Sequence, residues 1–461
     1  MSLSTASFDK ELASLPPPAQ PTDPPDGGLS AWLTIAGAWM VQFSTFGQVS
    51  SSSFHPPAHS LFSYISAFGV YQGPCPAPSP VSPHPSPDYY ETVYLSSQTS
   101  SNIRSALCLS SRPPLTPPSW IGSLQLCLMY APGLFVGRAF DAGYFHHLSI
   151  AGALLYVFSI FMLSLAKPDQ YYQIFLAQAV GMGLGLGTAF LPSLSIVSHH
   201  FRRRRALAIG IVISGASAGG IVFPIMLNRL INSSVGFPNA VRATGAVCGA
   251  LLLLANCLMR TRLPPKQSAA TISWSQMRDV ICDGAYLWSI AGAFLTSLGI
   301  YVPLFYLQLF AEDHGVDSRI TTYCLAILNA GSIAGRLVPT FLADRLGVYN
   351  MILPSILACT ALIFAIFGAT NSAGIILVAL LFGFASGAYI SLIPSLLVQL
   401  CNSMSELGVK MGLAYTVVAV ANLTGNPIAG ALLGTGRNDA TFLMWWRALV
   451  FTGVRGWLLA A

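Results

Sequence analysis

Residues 181–224 read GMGLGLGTAFLPSLSIVSHHFRRRRALAIGIVISGASAGGIVFP, and this stretch decides the fold. An apolar segment from Ala179 to Val197 carries Gly181, Gly183, Gly185, Gly187 and Pro192 and no ionisable side chain. A second, from Ala206 to Leu227, carries Gly210, Gly215, Gly219, Gly220 and Pro224, again without charge. About 20 helical residues cross roughly 30 Å of hydrocarbon, so each segment can span a bilayer. Between them stand His199, His200, Phe201 and the arginines Arg202, Arg203, Arg204 and Arg205. Short loops rich in Lys and Arg remain cytoplasmic, so this loop orients the whole chain.

Composition points the same way. Of 461 residues, 8% are charged and 54% apolar, against about 25% charged in soluble proteins. An all-α, multi-pass membrane protein embedded in a lipid bilayer is the class that fits. The net charge of +6 is concentrated in the arginine run, which gives no support to nucleic-acid binding. The nine cysteines are scattered, with no CxxC and no His/Cys ligand spacing, so neither metal nor cofactor is expected. Residues 1–25 are polar and Pro-rich, lack a signal-peptide core, and read as a disordered cytoplasmic tail.

Windows of apolar sequence predict twelve spans. The first six centre on Ala31–Ser50, Trp120–Phe140, His147–Leu165, Tyr172–Val197, Ala206–Leu227 and Val241–Leu258. The second six centre on Ala285–Phe310, Ile320–Leu342, Tyr349–Ala369, Ala373–Leu400, Val409–Leu433 and Phe442–Leu459. Residues 26–259 thus make one six-helix half, 260–283 a cytoplasmic linker and 284–461 the second half, with the acidic Glu312–Asp317 loop outside. The halves repeat. Gly181, Gly185 and Pro192-Ser193-Leu194 match Gly383, Gly387 and Pro394-Ser395-Leu396 at an offset of 202. Gly210 matches Gly412 at 202, Pro224 matches Pro427 at 203, and Gly133 with Gly137-Arg138 matches Gly331 with Gly335-Arg336 at 198. Two duplicated halves with a solute site between them are the build of a secondary transporter.

Ile35-Ala36-Gly37-Ala38-Trp39 resembles Ile290-Ala291-Gly292-Ala293-Phe294 only at an offset of 255, so some fifty residues are surplus after the first span. Pro/Ser-rich patches at about 51–66, 73–87 and 104–118 account for most of them. They read as intron-derived sequence, the alternative being a disordered external loop. Arg455 within the last span, with the chain ending at Ala461, reads as a cut or frame-shifted final helix.

Asp26-Gly27-Gly28-Leu29-Ser30-Ala31-Trp32 resembles the signature that opens the first helix of monocarboxylate-porter-type proteins of the major facilitator superfamily, fungal members above all. Phe201 to Gly210, with Gly215 and Gly219, resembles that family's second signature. Gly137-Arg138-Ala139-Phe140-Asp141 and its counterpart Gly335-Arg336 through Asp344-Arg345 look like the superfamily motif after helices two and eight. The resemblance implies the major facilitator fold, twelve helices in two pseudo-symmetric halves, and alternating access. It implies that Gly137, Asp141, Gly335, Asp344 and Arg345 form a gate, with Asp141 and Asp344 bracing the N-termini of helices eleven and five. It also implies that Arg336 contacts a substrate anion. Mammalian lactate porters carry a Lys late in helix one and an Asp four residues before the helix-eight Arg. Here those places fall near Ser66 and at Ser332.

Arg336 is the sharpest candidate on its own chemistry. An intramembrane charge costs roughly 3 kcal/mol or more without a cavity or partner, and its fork suits a carboxylate. The competing reading makes it part of a repeated Gly-Arg structural motif, snorkelling to the cytoplasmic face. Asn329, Ser332, Tyr301, Tyr389, Tyr415, Asn422 and Asn426 are the polar groups that could line a path, or simply bond helix to helix. The Gly-x-Gly-x-Gly run at 181–187 lies mid-span and reads as close helix packing rather than a nucleotide loop. Gly425-Asn426-Pro427 reads as a bend. Asn232-Ser233-Ser234 is a glycosylation sequon in an outer loop.

The expected function is secondary active or facilitative movement of a small organic anion of the monocarboxylate type, by symport or uniport, a proton being the candidate co-substrate. A monomeric, plasma-membrane protein that is not an enzyme is expected. The alternatives are efflux of a fungal secondary metabolite, a transporter-like sensor, or an inactive product of the inserts.

Overall fold

The computed structural model describes residues 26–47, 121–166, 171–231, 233, 236–262, 283–401, 407–433, 435–436 and 439–460. The three Pro/Ser-rich patches, the sequon residue Asn232 and most of the 260–283 linker lie outside these described residues.

The first half consists of α1 (Leu29–Ser44), α2 in two pieces (Ile121–Tyr130 and Gly133–Asp141), α3 (Phe145–Ser164), α4 (Tyr171 to His199), α5 (Arg205–Ile231) and α6 (Gly236–Leu258). The second consists of α7 in two pieces (Gly284–Ile300 and Val302–Asp313), α8 (Ser318–Leu346), α9 (Val348–Ala365, continued to Gly368), α10 (Ser372–Gln399), α11 (Leu407–Leu433) and α12 (Trp445–Ala460). Nine of these, among the described residues, are long and apolar enough to cross a bilayer; α1, α12 and each of the two pieces of α2 are shorter. Among the described residues, a small antiparallel strand pair, β1 (Thr435–Gly436) and β2 (Asp439–Leu443), lies just before α12. The last helix therefore starts at Trp445 rather than at the expected Phe442, which is strand.

Proline explains two of the breaks. Pro132 separates the pieces of α2 and Pro303 opens the second piece of α7, each lacking the N–H that would continue the ladder. Pro427, by contrast, lies inside an unbroken α11. The glycine-rich part of α4 packs as expected of small residues: a Cβ at Gly185 would lie 2.7 Å from the Tyr156 backbone nitrogen of α3.

The halves meet along two antiparallel seams. On one, Gly137 and Gly133 of α2 lie against Gly408 and Gly412 of α11, backbone on backbone. On the other, Gly210 of α5 abuts the Arg336 carbonyl and Thr340 of α8. Both seams close at the end that bears the arginine run, called here the basic end.

These contacts correct the repeat. Relative to their matching seams, Asp141 corresponds to Asp344, Gly137 to Thr340 and Gly133 to Arg336, an offset of 203. The sequence match of Gly137-Arg138 to Gly335-Arg336 at 198 is thus out of structural register. Gly335 instead packs on the Phe384 carbonyl of α10, inside the second half.

The two sequence signatures touch at the basic end. One carboxylate oxygen of Asp26 accepts from the backbone N–H groups of Arg202 and Arg203 at 2.6 and 2.8 Å. Trp32 meets Phe201 edge-on at 5.5 Å. In the second half, buried Lys410 donates to the last turn of α10 (Leu400 O, 2.9 Å) and lies 4.0 Å from Asp283, the N-cap of α7.

Candidate functional site

The two carboxylates at the basic end each reach across to the opposite half. Asp141 accepts from Gly408 N and Val409 N of α11 at 3.0 and 3.1 Å. Asp344 accepts from Ala206 N and Leu207 N of α5 at 2.9 and 3.0 Å. First-turn N–H groups have no partner within their own helix and carry the positive end of its dipole, so a carboxylate is the fitting cap. Arg345 takes no part: it is exposed, with its guanidinium 4.7 Å from the Phe341 ring on its own helix.

Two turns further in, about 12 Å along α8, stands Arg336. It is buried rather than snorkelling to the surface. Its Nε donates to Ser332 Oγ at 3.2 Å and its Nη1 to the backbone carbonyl of Ile213 on α5, in the other half. Buried charges are ordinarily paired; this one is held by neutral oxygens.

Around it is a box of rings. Tyr130 and Tyr301 lie within electrostatic range of the guanidinium, and their hydroxyls are 3.3 Å apart. Tyr130 sits where α2 breaks and Tyr301 where α7 breaks, so each ring comes from a helix interruption aimed at the seam. Tyr415 of α11 stacks on Tyr130 with centroids 5.2 Å apart and planes 10° off parallel. Phe190 of α4 stands edge-on to both, at 5.5 and 5.8 Å, and Phe46, just past the end of α1, follows at 6.3 Å. Buried Tyr389 of α10 lies within electrostatic range of Tyr301 and Tyr415. The backbone groups freed by the α2 break are met from the other half: Leu134 N donates to Thr416 Oγ1 at 3.3 Å, and that hydroxyl lies 3.2 Å from Ala131 O.

The structure therefore gathers Arg336, Ser332, Tyr301, Tyr389 and Tyr415. Asn422 lies two turns along α11 from Tyr415, fully buried, and among the described residues neither amide atom has a hydrogen-bond partner. Asn329 is elsewhere, bonded to Leu325 O at 3.0 Å and packed against Gly220 of α5. Asn426 offers its backbone carbonyl to Tyr306 at 3.3 Å. Sequence reasoning missed the first-half contribution: Tyr130, Phe190 and Gln42, which bonds Ser193 at 2.9 Å. An uncharged amide inside an apolar window is rare enough that Gln42, Gln125 and Gln178 carried a usable signal.

Comparisons with known proteins agree with this architecture. The Major Facilitator Superfamily profile matches residues 115–426. "MFS transporter asaE" of Aspergillus flavus is 34% identical over 456 residues, 99% of this chain and 91% of that protein. "Aspyridones efflux protein apdF" of Emericella nidulans is 36% identical over 420 residues, 91% of this chain and 75% of that protein. The structure of the human organic anion transporter MFSD10 (TETRAN) matches with a TM-score of 0.65 at 14% identity, covering 94% of this chain and 100% of that one, a likeness of fold.

Proposed function

This chain belongs to the Major Facilitator Superfamily, and we propose that it is an efflux transporter for a fungal secondary metabolite that carries an acidic group. It is a membrane transporter rather than an enzyme. The efflux reading, held at first as the alternative to small-monocarboxylate transport, is favoured by a relative named for export of aspyridones.

The observation that carries the chemistry is the Arg336 box: one buried guanidinium held by a serine hydroxyl and a backbone carbonyl, flanked by tyrosine rings from both halves. Ser332 occupies the place where lactate porters have an Asp, so the guanidinium has no carboxylate on its own helix turn to neutralise it. An acidic solute supplies that charge, and the rings suit a flat apolar body better than a three-carbon acid. With the basic end in the cytoplasm, as its arginines favour, the seams are closed toward the cytoplasm. Rocking of the halves about the site then opens it alternately to each side. Gly137, Asp141 and Asp344 act at the cytoplasmic gate, and Tyr301, Tyr389, Tyr415, Ser332 and Asn422 contact the solute with Arg336. The protein works as a plasma-membrane monomer.

The test is uptake into inside-out vesicles carrying the full chain. Biphenyl-4-carboxylate should enter saturably, lactate should not compete, and Arg336→Ala should abolish entry at equal protein level. Equal transport of the neutral biphenyl-4-carboxamide, or undiminished transport by the variant, would overturn the reading.

A further inference from the structure

Gln42 of α1 lies one turn toward the basic end from Phe46 and is fully buried. Its Nε2 donates to Ser193 Oγ at 2.9 Å, and Ser193 Oγ donates to Phe190 O at 2.7 Å. A serine hydroxyl has a single proton. With that proton on Phe190 O, Ser193 accepts from Gln42. This amide orientation keeps both contacts at once, whereas turned over, the Gln42 carbonyl could be met only by taking the Ser193 proton away from Phe190. Oε1 then faces away from Ser193, and among the described residues it is buried without a hydrogen-bond partner. A buried acceptor left unmet is destabilising, so an acceptor fixed in this way beside a solute site points to a donor that arrives with the solute.

The place of Gln42 supports this. Ser193 lies one turn from Phe190 on α4, and Phe190 is the ring that meets both Tyr130 and Tyr415. Gln42 and Arg336 are therefore both linked to the ring box, one from each half, through steps that include the 5.5 Å Tyr130–Phe190 contact.

We propose that Gln42 is a specificity-determining residue whose side-chain carbonyl accepts an O–H or N–H from the solute while Arg336 holds the acidic group. The solute class that follows has an acid at one end, a hydrogen-bond donor at the other and a flat apolar body between. The assignment rests on the acid-site reading above and adds to it the far end of the molecule.

The experiment compares binding of 4′-hydroxybiphenyl-4-carboxylate and its methyl ether, 4′-methoxybiphenyl-4-carboxylate, to the purified full chain in nanodiscs. The wild type should prefer the hydroxy acid about tenfold, the methyl ether being unable to donate. Gln42→Met should bring the two affinities together while leaving that of the methyl ether unchanged. Ser193→Ala, which releases the amide to turn over, should reduce the preference without removing either acid. A wild type without preference, or a preference that survives both substitutions, overturns the assignment. Equal loss of both acids in Gln42→Met also overturns it, since that is the signature of a structural role. Failure of both acids to bind wild type, or binding indifferent to Arg336→Ala, would strike the acid-site reading first and this assignment with it.

Discussion

Replacing Asp141 and Asp344 by Asn tests whether the paired caps hold the basic end shut. Each carboxylate accepts two backbone N–H groups from the opposite half, at 3.0 and 3.1 Å for Asp141 and 2.9 and 3.0 Å for Asp344. An Asn keeps one acceptor oxygen, turns an NH₂ toward the second N–H, and removes the charge that the helix N-terminus favours. A hydrogen bond to a charged group is worth about 1.5–3 kcal/mol, and both carboxyls are only partly buried, so screening favours the lower figure. About 1.5 kcal/mol per site shifts the closed-to-open ratio about tenfold. The two sites share no partner and should add, giving about a hundredfold shift in the double variant. Spin labels at His147 on α3 and Asn350 on α9, both exposed, report the separation of the halves at that end. The pulsed-EPR distance distribution should gain a longer population in each single variant and be dominated by it in the double. A distribution unchanged in the double variant would refute the idea that these contacts close the gate.

Other substitutions probe other links. Gly137→Val drives a branched side chain into the Gly408 backbone; it should separate α2 from α11 and stop vesicle transport while the protein still reaches the membrane, and normal transport would contradict the close packing. Tyr130→Phe removes only the hydroxyl contact to Tyr301 at 3.3 Å, so KM for biphenyl-4-carboxylate should rise only a few-fold, in keeping with about 1 kcal/mol for one hydrogen bond. Tyr130→Leu also loses the ring stack on Tyr415, and should raise KM further than the Phe variant does; equal effects would remove the ring from the argument. Asp26→Ala frees the Arg202 and Arg203 backbone, and trypsin should then cut the arginine run in inside-out vesicles several-fold faster, cleavage tracking local opening. An epitope inserted after Pro265 should be reached by antibody only in permeabilised cells; labelling of intact cells would reverse the orientation.

The elements were legible because hydrophobic length is a local property. Spans expected at Ala206–Leu227 and Tyr349–Ala369 are helices Arg205–Ile231 and Val348–Ala365 continued to Gly368, within a turn at each end. What the sequence could not carry was relation between elements. The Asp26 signature and the Phe201 signature were read separately, because nothing in either spells out that one carboxylate of the first accepts two N–H groups of the second. Polar residues on the second-half helices do not by themselves point to Tyr130, Phe190 and Gln42, because the stack that defines the box joins Tyr130 of one half to Tyr415 of the other. The caps that Asp141 and Asp344 make on α11 and α5 are those the motif resemblance implies. Gly335 and Arg345 came with the motif and have no place at the seam.

The corrected register explains why the charge sits on one side of a pseudo-symmetric molecule. At the offset of 203, the position that is Gly133 in the first half is Arg336 in the second. A glycine lets the α2 and α11 backbones touch at Gly412, and small residues are how helices approach closely in a membrane. At the equivalent level of the other seam the close approach is kept by Gly210 of α5, facing the backbone of Arg336. The side chain of Arg336 is thereby released along the seam toward Ile213 and the tyrosines. One seam is thus a bare backbone contact and the other carries the cation, with the stacked rings of Tyr130 on α2 and Tyr415 on α11 beside it. The Gly-Arg match at 198 concealed this by aligning Arg336 with Arg138, which is exposed at the basic end. Divergence at one structurally equivalent position places a buried cation on one seam and a bare backbone contact on the other, while the two carboxylate caps stay equivalent at the same offset.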